Sequence, residues 1–506
     1  MKNTSAQHLH GGGERLRRQF LLGKGVALEG LLDAPTLDAV LHEHGTPGRH
    51  RLYPPMDTLR LFIGQVLSTD RACQDVVGRR LSERIACGQS ASALSTSAYC
   101  DARQRLSLAL PTTLSELIAQ RLESRAALSW RWNGRRVVLF DGTSMSMPDT
   151  PSLQQAYPQS ATQAAGLGFP MARIGALIGL ATGAVLTYQV AACKGKATGE
   201  QTLLQNLTLH LNEGDVLLAD APLATWWIIE AAQRRGADVL MAQHGKRITD
   251  FARGRCLTTE HGGRRQSAKD HVVQWPRPPK PKTMSAEEYA AYPEFITMRE
   301  IEIDGRIVVT TLLDPQYASA RALHALYAMR WNIEVDFRVI KSTLQMDVLC
   351  CKSREMVEKE IAVCLLAYNL VRAAMAKAAA LKDVLPRSLS FSAAKRLLAA
   401  FADQLRRTAE DQLNAVTTQV LAAIATCRLP HRPHRIEPRA KKRRPKNLPL
   451  LNVHRDVARQ QIRVARLIRV TGVSDPIVFP HCFSSTELRH RYCLTALLSN
   501  RLFTGA

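Results

Sequence analysis

The chain has 506 residues, 46% of them hydrophobic and 22% charged, which is enough to bury several cores and too apolar for a disordered protein. Its 68 Lys and Arg against 44 Asp and Glu leave a net charge of +24, so the surface repels cations and attracts polyanions, nucleic acid first, although ribosome-bound and membrane-surface proteins share that balance. Eleven cysteines without a CxxC pair argue against a disulfide scaffold and fit a reducing cytoplasm, and the opening Met1–Arg18 lacks the apolar core of a secretion signal.

Residues 1–130 are expected to form a helical, DNA-binding region. Amphipathic runs such as Leu59, Leu61, Phe62 and Val66 follow Pro54-Pro55, and another spans Leu114 to Leu122. Arg103 and Arg105 lie there with Arg79, Arg80 and Arg84; singly each reads as a solvated surface charge, and together as phosphate contacts.

From residue 131 the period changes. Val137-Val138-Leu139-Phe140 reads as a buried strand ending at Asp141, followed by strand runs at Arg173–Leu180 and Ala184–Ala191. The uncharged stretch Ile174–Cys193 has the length of a membrane span, but Ala181-Thr182-Gly183 breaks it, and a hairpin is the better reading. A helix over Glu200–Leu211, a buried strand Val216–Ala219 ending at Asp220, a helix over Leu223–Arg234 and a strand at Val239–Met241 complete the order β-β-β-α-β-α-β over 131–244. That order predicts an α/β fold, a mixed sheet flanked by helices.

Residues 245–315 interrupt it with glycines, a Pro276–Lys282 stretch and β-like runs at Phe295–Ile303 and Ile307–Leu313, and so are expected to form a β-rich insertion carrying a single tryptophan, Trp275. Helical periodicity returns over 316–385, at Ser319–Leu344 and Val357–Leu381. Residues 386–446 add helices and a basic arm: Arg428–Lys446 holds nine Lys or Arg, among them Lys441, Lys442, Arg443 and Arg444, against one Glu. The tail 447–506 has no clear organisation, and its His481, Cys482, His490 and Cys493 match no familiar zinc framework.

The chemistry centres on the helix near residue 330. At about 100° per residue, Tyr327, Arg330, Glu334 and Lys341 fall within roughly 60° of one another. Met329, Ile333, Phe337, Ile340 and Leu344 form the adjoining apolar stripe, and Asp336 points elsewhere. Alone this is a surface helix with an Arg330–Glu334 pair, and Asp141-Gly142 alone is a turn. With two aspartates at strand ends before it, the set supplies hard oxygen donors suited to Mg²⁺, or Mn²⁺ in its place.

Tyr327 to Lys341 fits Y-(2)-R-(3)-E-(6)-K at every gap. The Asp141-Gly142-Thr143 run, with Pro148-Asp149-Thr150 and Tyr157-Pro158-Gln159 after it, and Ala219-Asp220 supply two further motifs. Over about residues 15–446 the chain thus resembles the bacterial DDE transposases of the insertion-sequence-four group. The resemblance implies an RNase H-like catalytic fold split by the β-rich insertion, with Asp141, Asp220 and Glu334 as catalytic ligands of two metal ions. Tyr327, Arg330 and Lys341 become DNA-phosphate contacts, and double-stranded DNA, both element ends and target, the partner of a homodimer. The group often follows its second aspartate with Arg-Gly, whereas Ala221-Pro222 stands here. Two alternatives are a noncatalytic DNA-binding descendant and a metal-dependent nuclease that cuts without joining.

Overall fold

The structure, a computed structural model, describes residues 32–45, 52–86, 88, 95–257, 260–261, 264–265, 269–430 and 451–471. Its frame is a sheet in which β1 (Val137–Ser146) pairs antiparallel with β2 (Met171–Gly179), and β2 with β3 (Val185–Ala192). The uncharged Ile174–Cys193 stretch is therefore the expected hairpin. On its other side β1 runs parallel to β4 (Val216–Ala219), and β4 parallel to β5 (Asp238–Ala242). Every residue of β4 and the first four of β1 are buried, because helices cover both faces of this parallel core.

The β-rich insertion is continuous with this sheet. Beyond a short strand β6 (Arg255–Cys256) and a two-stranded hairpin of β7 (Glu260–His261) and β8 (Arg264–Arg265), it contributes β9 (Asp270–Pro276), β10 (Phe295–Ile303) and β11 (Arg306–Thr310). β11 pairs antiparallel with β5, so the insertion extends the central sheet to nine strands, ordered β3-β2-β1-β4-β5-β11-β10-β9-β6. A buried ion pair fixes this extension: Arg299 on β10 grips Asp270 on β9 through two hydrogen bonds of 2.8 and 2.6 Å, with both side chains out of solvent. Trp275 is buried as well, donating its indole N–H to Glu300 at 2.7 Å, which is the packing role its position allows.

The N-terminal helices are α1 (Ala34–His44), α2 (Pro55–Leu67), α3 (Cys73–Ala86), α4 (Ser97–Arg105) and α5 (Ala109–Ser124). Between the strands lie α6 (Pro151–Ala156), α7 (Glu200–Leu207) and α8 (Trp226–Arg234), and the insertion adds α9 (Ala286–Ala290). After β11 come α10 (Ala320–Ala328), α11 (Asn332–Arg338) and the 28-residue α12 (Arg354–Leu381), then α13 (Phe391–Ala400), α14 (Ala402–Arg407) and α15 (Glu410–Thr426). Leu59 and Phe62 of α2, Leu110 and Leu114 of α5, and Leu365 and Leu366 of α12 belong to one buried cluster, so the helical N-terminal region shares its core with the sheet. Among the described residues α12 alone is long and apolar enough to cross a membrane, but 94% of its apolar window is buried inside the protein: it is the central core helix. The described residues of 1–163 and 168–430 form one compact unit, and a second takes in 164–167 and 451–471, with α16 (Arg455–Thr471).

Candidate active site

The strand carrying Asp141 does not end there, as its sequence suggested. β1 continues along β2 to Ser146, while its ladder with β4 stops at Leu139 opposite Leu218. The sequence offset in that ladder, Val137 opposite Val216, brings Asp141 level with Asp220 just past the last paired residues. The two aspartates thus flank a notch where β4 gives way to a short 3-10 turn, Ala221–Leu223. Side chains alternate along strands. Val137, Leu139 and Leu218 join the core beneath α11 and α12, whereas Val138, Phe140, Leu217 and Ala219 join the one beneath α7 and α8. Asp141 and Asp220, in phase with the first set, lean toward the α11 side. Asp141 accepts the Gly142 N–H at 2.7 Å and Asp220 accepts the Ala221 N–H at 2.9 Å.

The segment carrying Glu334 is not one ideal helix. α10 passes through a 3-10 turn at Met329–Trp331 into α11, which runs on into a π turn at Val339–Thr343. The face expected for it nonetheless meets the sheet. Arg330 donates to Glu334 at 3.2 Å, and Lys341, displaced by the π turn, donates to Thr143 of β1 at 3.4 Å. Ile333, Phe337, Ile340 and Leu344 are buried as the stripe required, but Met329 is exposed, since the 3-10 turn rotates it out of line. Tyr327 is buried, and burial, aided by Asp220, pushes its hydroxyl above the usual tyrosine range. Asp336 turns the other way. Fully buried, it accepts from Arg387 at 2.9 Å, from the Tyr368 hydroxyl at 3.1 Å and from Arg372, tying α11 to α12.

Arg330 lies at the electrostatic centre. Burial would draw its proton affinity down, but Asp220, Tyr327, Glu334 and Asp141 around it outweigh burial and hold it above the ordinary arginine range. Burial likewise dominates at Asp141 and lifts its carboxyl to about 6, opposed by the Gly142 N–H and Arg330 and reinforced by Glu200 and Glu334. Glu200, on the first turn of α7, was not singled out by sequence, because nothing local marks a glutamate at a helix start as more than a favourable dipole contact. In the sequence Thr143 stands out only as part of the Asp141-Gly142-Thr143 run.

Two other expectations fare differently. Arg103 points into the N-terminal bundle, its guanidinium 4.9 Å from the Phe62 ring centre and 3.3 Å from Gln65, so packing accounts for it; Arg105 is exposed. Lys441, Lys442, Arg443 and Arg444 lie outside the described residues, as do His481, Cys482, His490 and Cys493.

Among the described residues no three His, Cys, Asp or Glu side chains crowd closely enough to enclose a metal ion. An enclosed cage is not what a phosphoryl-transfer ion needs. Mg²⁺ takes one or two carboxylates, keeps waters and draws further oxygens from substrate phosphates. Asp141, Asp220 and Glu334 offer an all-oxygen donor set around an open notch, with Arg330 balancing their charge, and that set fits.

A family model described as Transposase DDE domain matches residues 132–370, a span that holds all three carboxylates and the insertion between them. The chain is also 25% identical over 434 residues to Transposase InsG for insertion sequence element IS4 of Escherichia coli strain K12, covering 83% of this chain and 92% of that one. Both matches support a bacterial DDE transposase of the IS4 type. Transposases of this family are DNA-cutting and DNA-joining enzymes that use divalent metal ions, and their catalytic domain is RNase H-like, in keeping with the mixed sheet described above. A solved structure, piggyBac transposase in a synaptic complex with hairpin DNA, aligns over 79% of this transposase and 84% of its own chain at 9% identity and a TM-score of 0.37.

Proposed function

We propose that Asp141, Asp220 and Glu334 hold two divalent ions, Mg²⁺ in the cell, and that the transposase cuts and rejoins double-stranded DNA at the ends of its own insertion sequence. The observation that carries this reading is the level placement of Asp141 and Asp220 beside the notch, with Glu334 brought to the same place through Arg330. Ions bound there supply Lewis-acid charge to the attacking and leaving oxygens of an in-line displacement at phosphorus.

The chain's own residues do the rest. Asp141 and Asp220 are fixed by N–H bonds from their next residues, so their carboxylates are oriented before DNA arrives. Arg330 neutralises the acidic notch through one oxygen of Glu334, leaving the other for an ion, and its planar fork keeps further donors for the oxygens of an entering phosphate. Lys341, beside Thr143, meets the backbone further along, and the buried Tyr327 lies within electrostatic reach of Arg330. Lys441 to Arg444 add sequence-independent attraction to DNA. Two ends must be held at once, so the working form is a homodimer on DNA, in the bacterial cytoplasm.

The test is to incubate the purified protein with DNA carrying the element's ends and Mg²⁺, beside Glu334→Gln. Wild type nicks the ends and joins them to target DNA, and the glutamine variant binds the same DNA without cutting it. Binding without nicking by wild type would refute the catalytic assignment; cutting without joining would assign a nuclease.

A further inference from the structure

Asp141 and Asp220 lean toward the α11 side of the sheet, and one further carboxylate acts on Asp141 from the α7 side, that of Glu200. Gly142 and Gly175 face each other across β1 and β2, and both turn toward the α7 side, in phase with Phe140 and Leu177. Their bare backbones form a shallow seat into which the first turn of α7 drops. A Cβ on Gly142 would lie 2.6 Å from Glu200 Cγ, and one on Gly175 would lie 3.1 Å from Leu203 Cβ. Neither glycine has a positive φ, so the backbone does not demand glycine at either position; the room for α7 does. Leu203 fills its half of the seat with apolar packing. Glu200 fills the other half with a half-buried carboxylate against the residue that follows Asp141.

Packing alone would favour an apolar residue over Gly142. A carboxylate set there close to Asp141 adds repulsion, which its long ion pair with Arg173 at 3.7 Å relieves only in part while Arg173 also donates to the Thr198 carbonyl. On the β4 side no strand screens this point, since the ladder has ended at Leu139.

Resting on the metal reading above, we propose that Glu200 is a fourth carboxylate of the ion-holding set, reaching the Asp141 ion from the α7 face of the sheet across the space that Gly142 leaves open. It adds to Asp141, Asp220 and Glu334 a further oxygen donor from the α7 side.

The test uses the full-length protein and Mn²⁺ alone, followed by loss of the free-ion electron paramagnetic resonance signal. Glu200→Gln keeps shape and removes charge, and is expected to weaken Mn²⁺ binding about tenfold or more, with Glu200→Asp recovering part of it and the metal-free urea midpoint of Glu200→Gln no lower than that of wild type. Gly142→Ala, by displacing Glu200, is expected to weaken Mn²⁺ in the wild-type background and to add little in Glu200→Gln. Wild-type affinity in Glu200→Gln, beside lost affinity in Asp141→Asn and Glu334→Gln, would overturn the role of Glu200. If those two also bind Mn²⁺ normally, it is the metal reading itself that falls.

Discussion

Asp141→Asn should make the metal-free transposase more stable while abolishing its chemistry. The asparagine oxygen still accepts the Gly142 N–H, so the 2.7 Å bond survives and only the charge is removed. Burial, with Glu200 and Glu334 adding to it, lifts the Asp141 carboxyl from 3.8 to about 6. The folded protein therefore keeps a proton that the unfolded chain has released across that interval. Where the unfolded state binds fewer protons, stability falls as pH rises. The contribution of Asp141 is fully present below pH 3.8 and is lost as pH climbs through about 6.

A rise of that size corresponds to about 3 kcal/mol at full burial, and roughly 1–2 kcal/mol for a side chain that keeps some access to water. Wild type and Asp141→Asn should then match near pH 4 and separate between pH 4 and about 6. Above that the asparagine protein should lead by roughly 1–2 kcal/mol. Urea denaturation in EDTA across pH 4–8 measures the difference. Adding Mg²⁺ should raise wild type alone, since only its carboxylate gains from the cation. Equal stability at pH 8, or a gap that does not change with pH, would refute the account of a carboxylate held against its own electrostatics.

Asp336→Ala should lower stability by about 3–5 kcal/mol, because it strands the buried Arg372 and releases Arg387, which also caps the Gly179 carbonyl at 3.1 Å. Denaturant titration reads this, and a loss under 1 kcal/mol would show the arginines to be solvated. Asp270→Ala should cost a similar amount by leaving Arg299 unpaired inside the β10 strand; limited proteolysis should then open the 269–310 segment first, and uniform resistance would count against it. Lys341→Ala should weaken binding to end and unrelated DNA alike and reduce the slope of log affinity against log salt by about 1. An unchanged slope would mean that Lys341 serves Thr143 rather than a phosphate.

The parts of this fold that could be read from sequence were those governed by local period. Four buried apolar residues before Asp141 and four before Asp220 marked the parallel core, and Phe295–Ile303 was placed to the residue as β10. The Glu334 helix was located by its stripe, yet its 3-10 and π turns were invisible, since a wheel drawn at about 100° per residue assumes the regularity that those turns break. What stayed hidden was non-local. The continuity of the insertion with the sheet depends on β11 finding β5 some 70 residues away, and no pattern within β11 encodes that partner. The same holds for Glu200. Its importance arises from two glycines, Gly142 and Gly175, that become neighbours only when β1 and β2 pair and become a seat only when α7 crosses them. A glycine in a strand signals close approach of something, but the sequence does not name what approaches. In this transposase it is a carboxylate, set where a cation would offset the repulsion it brings.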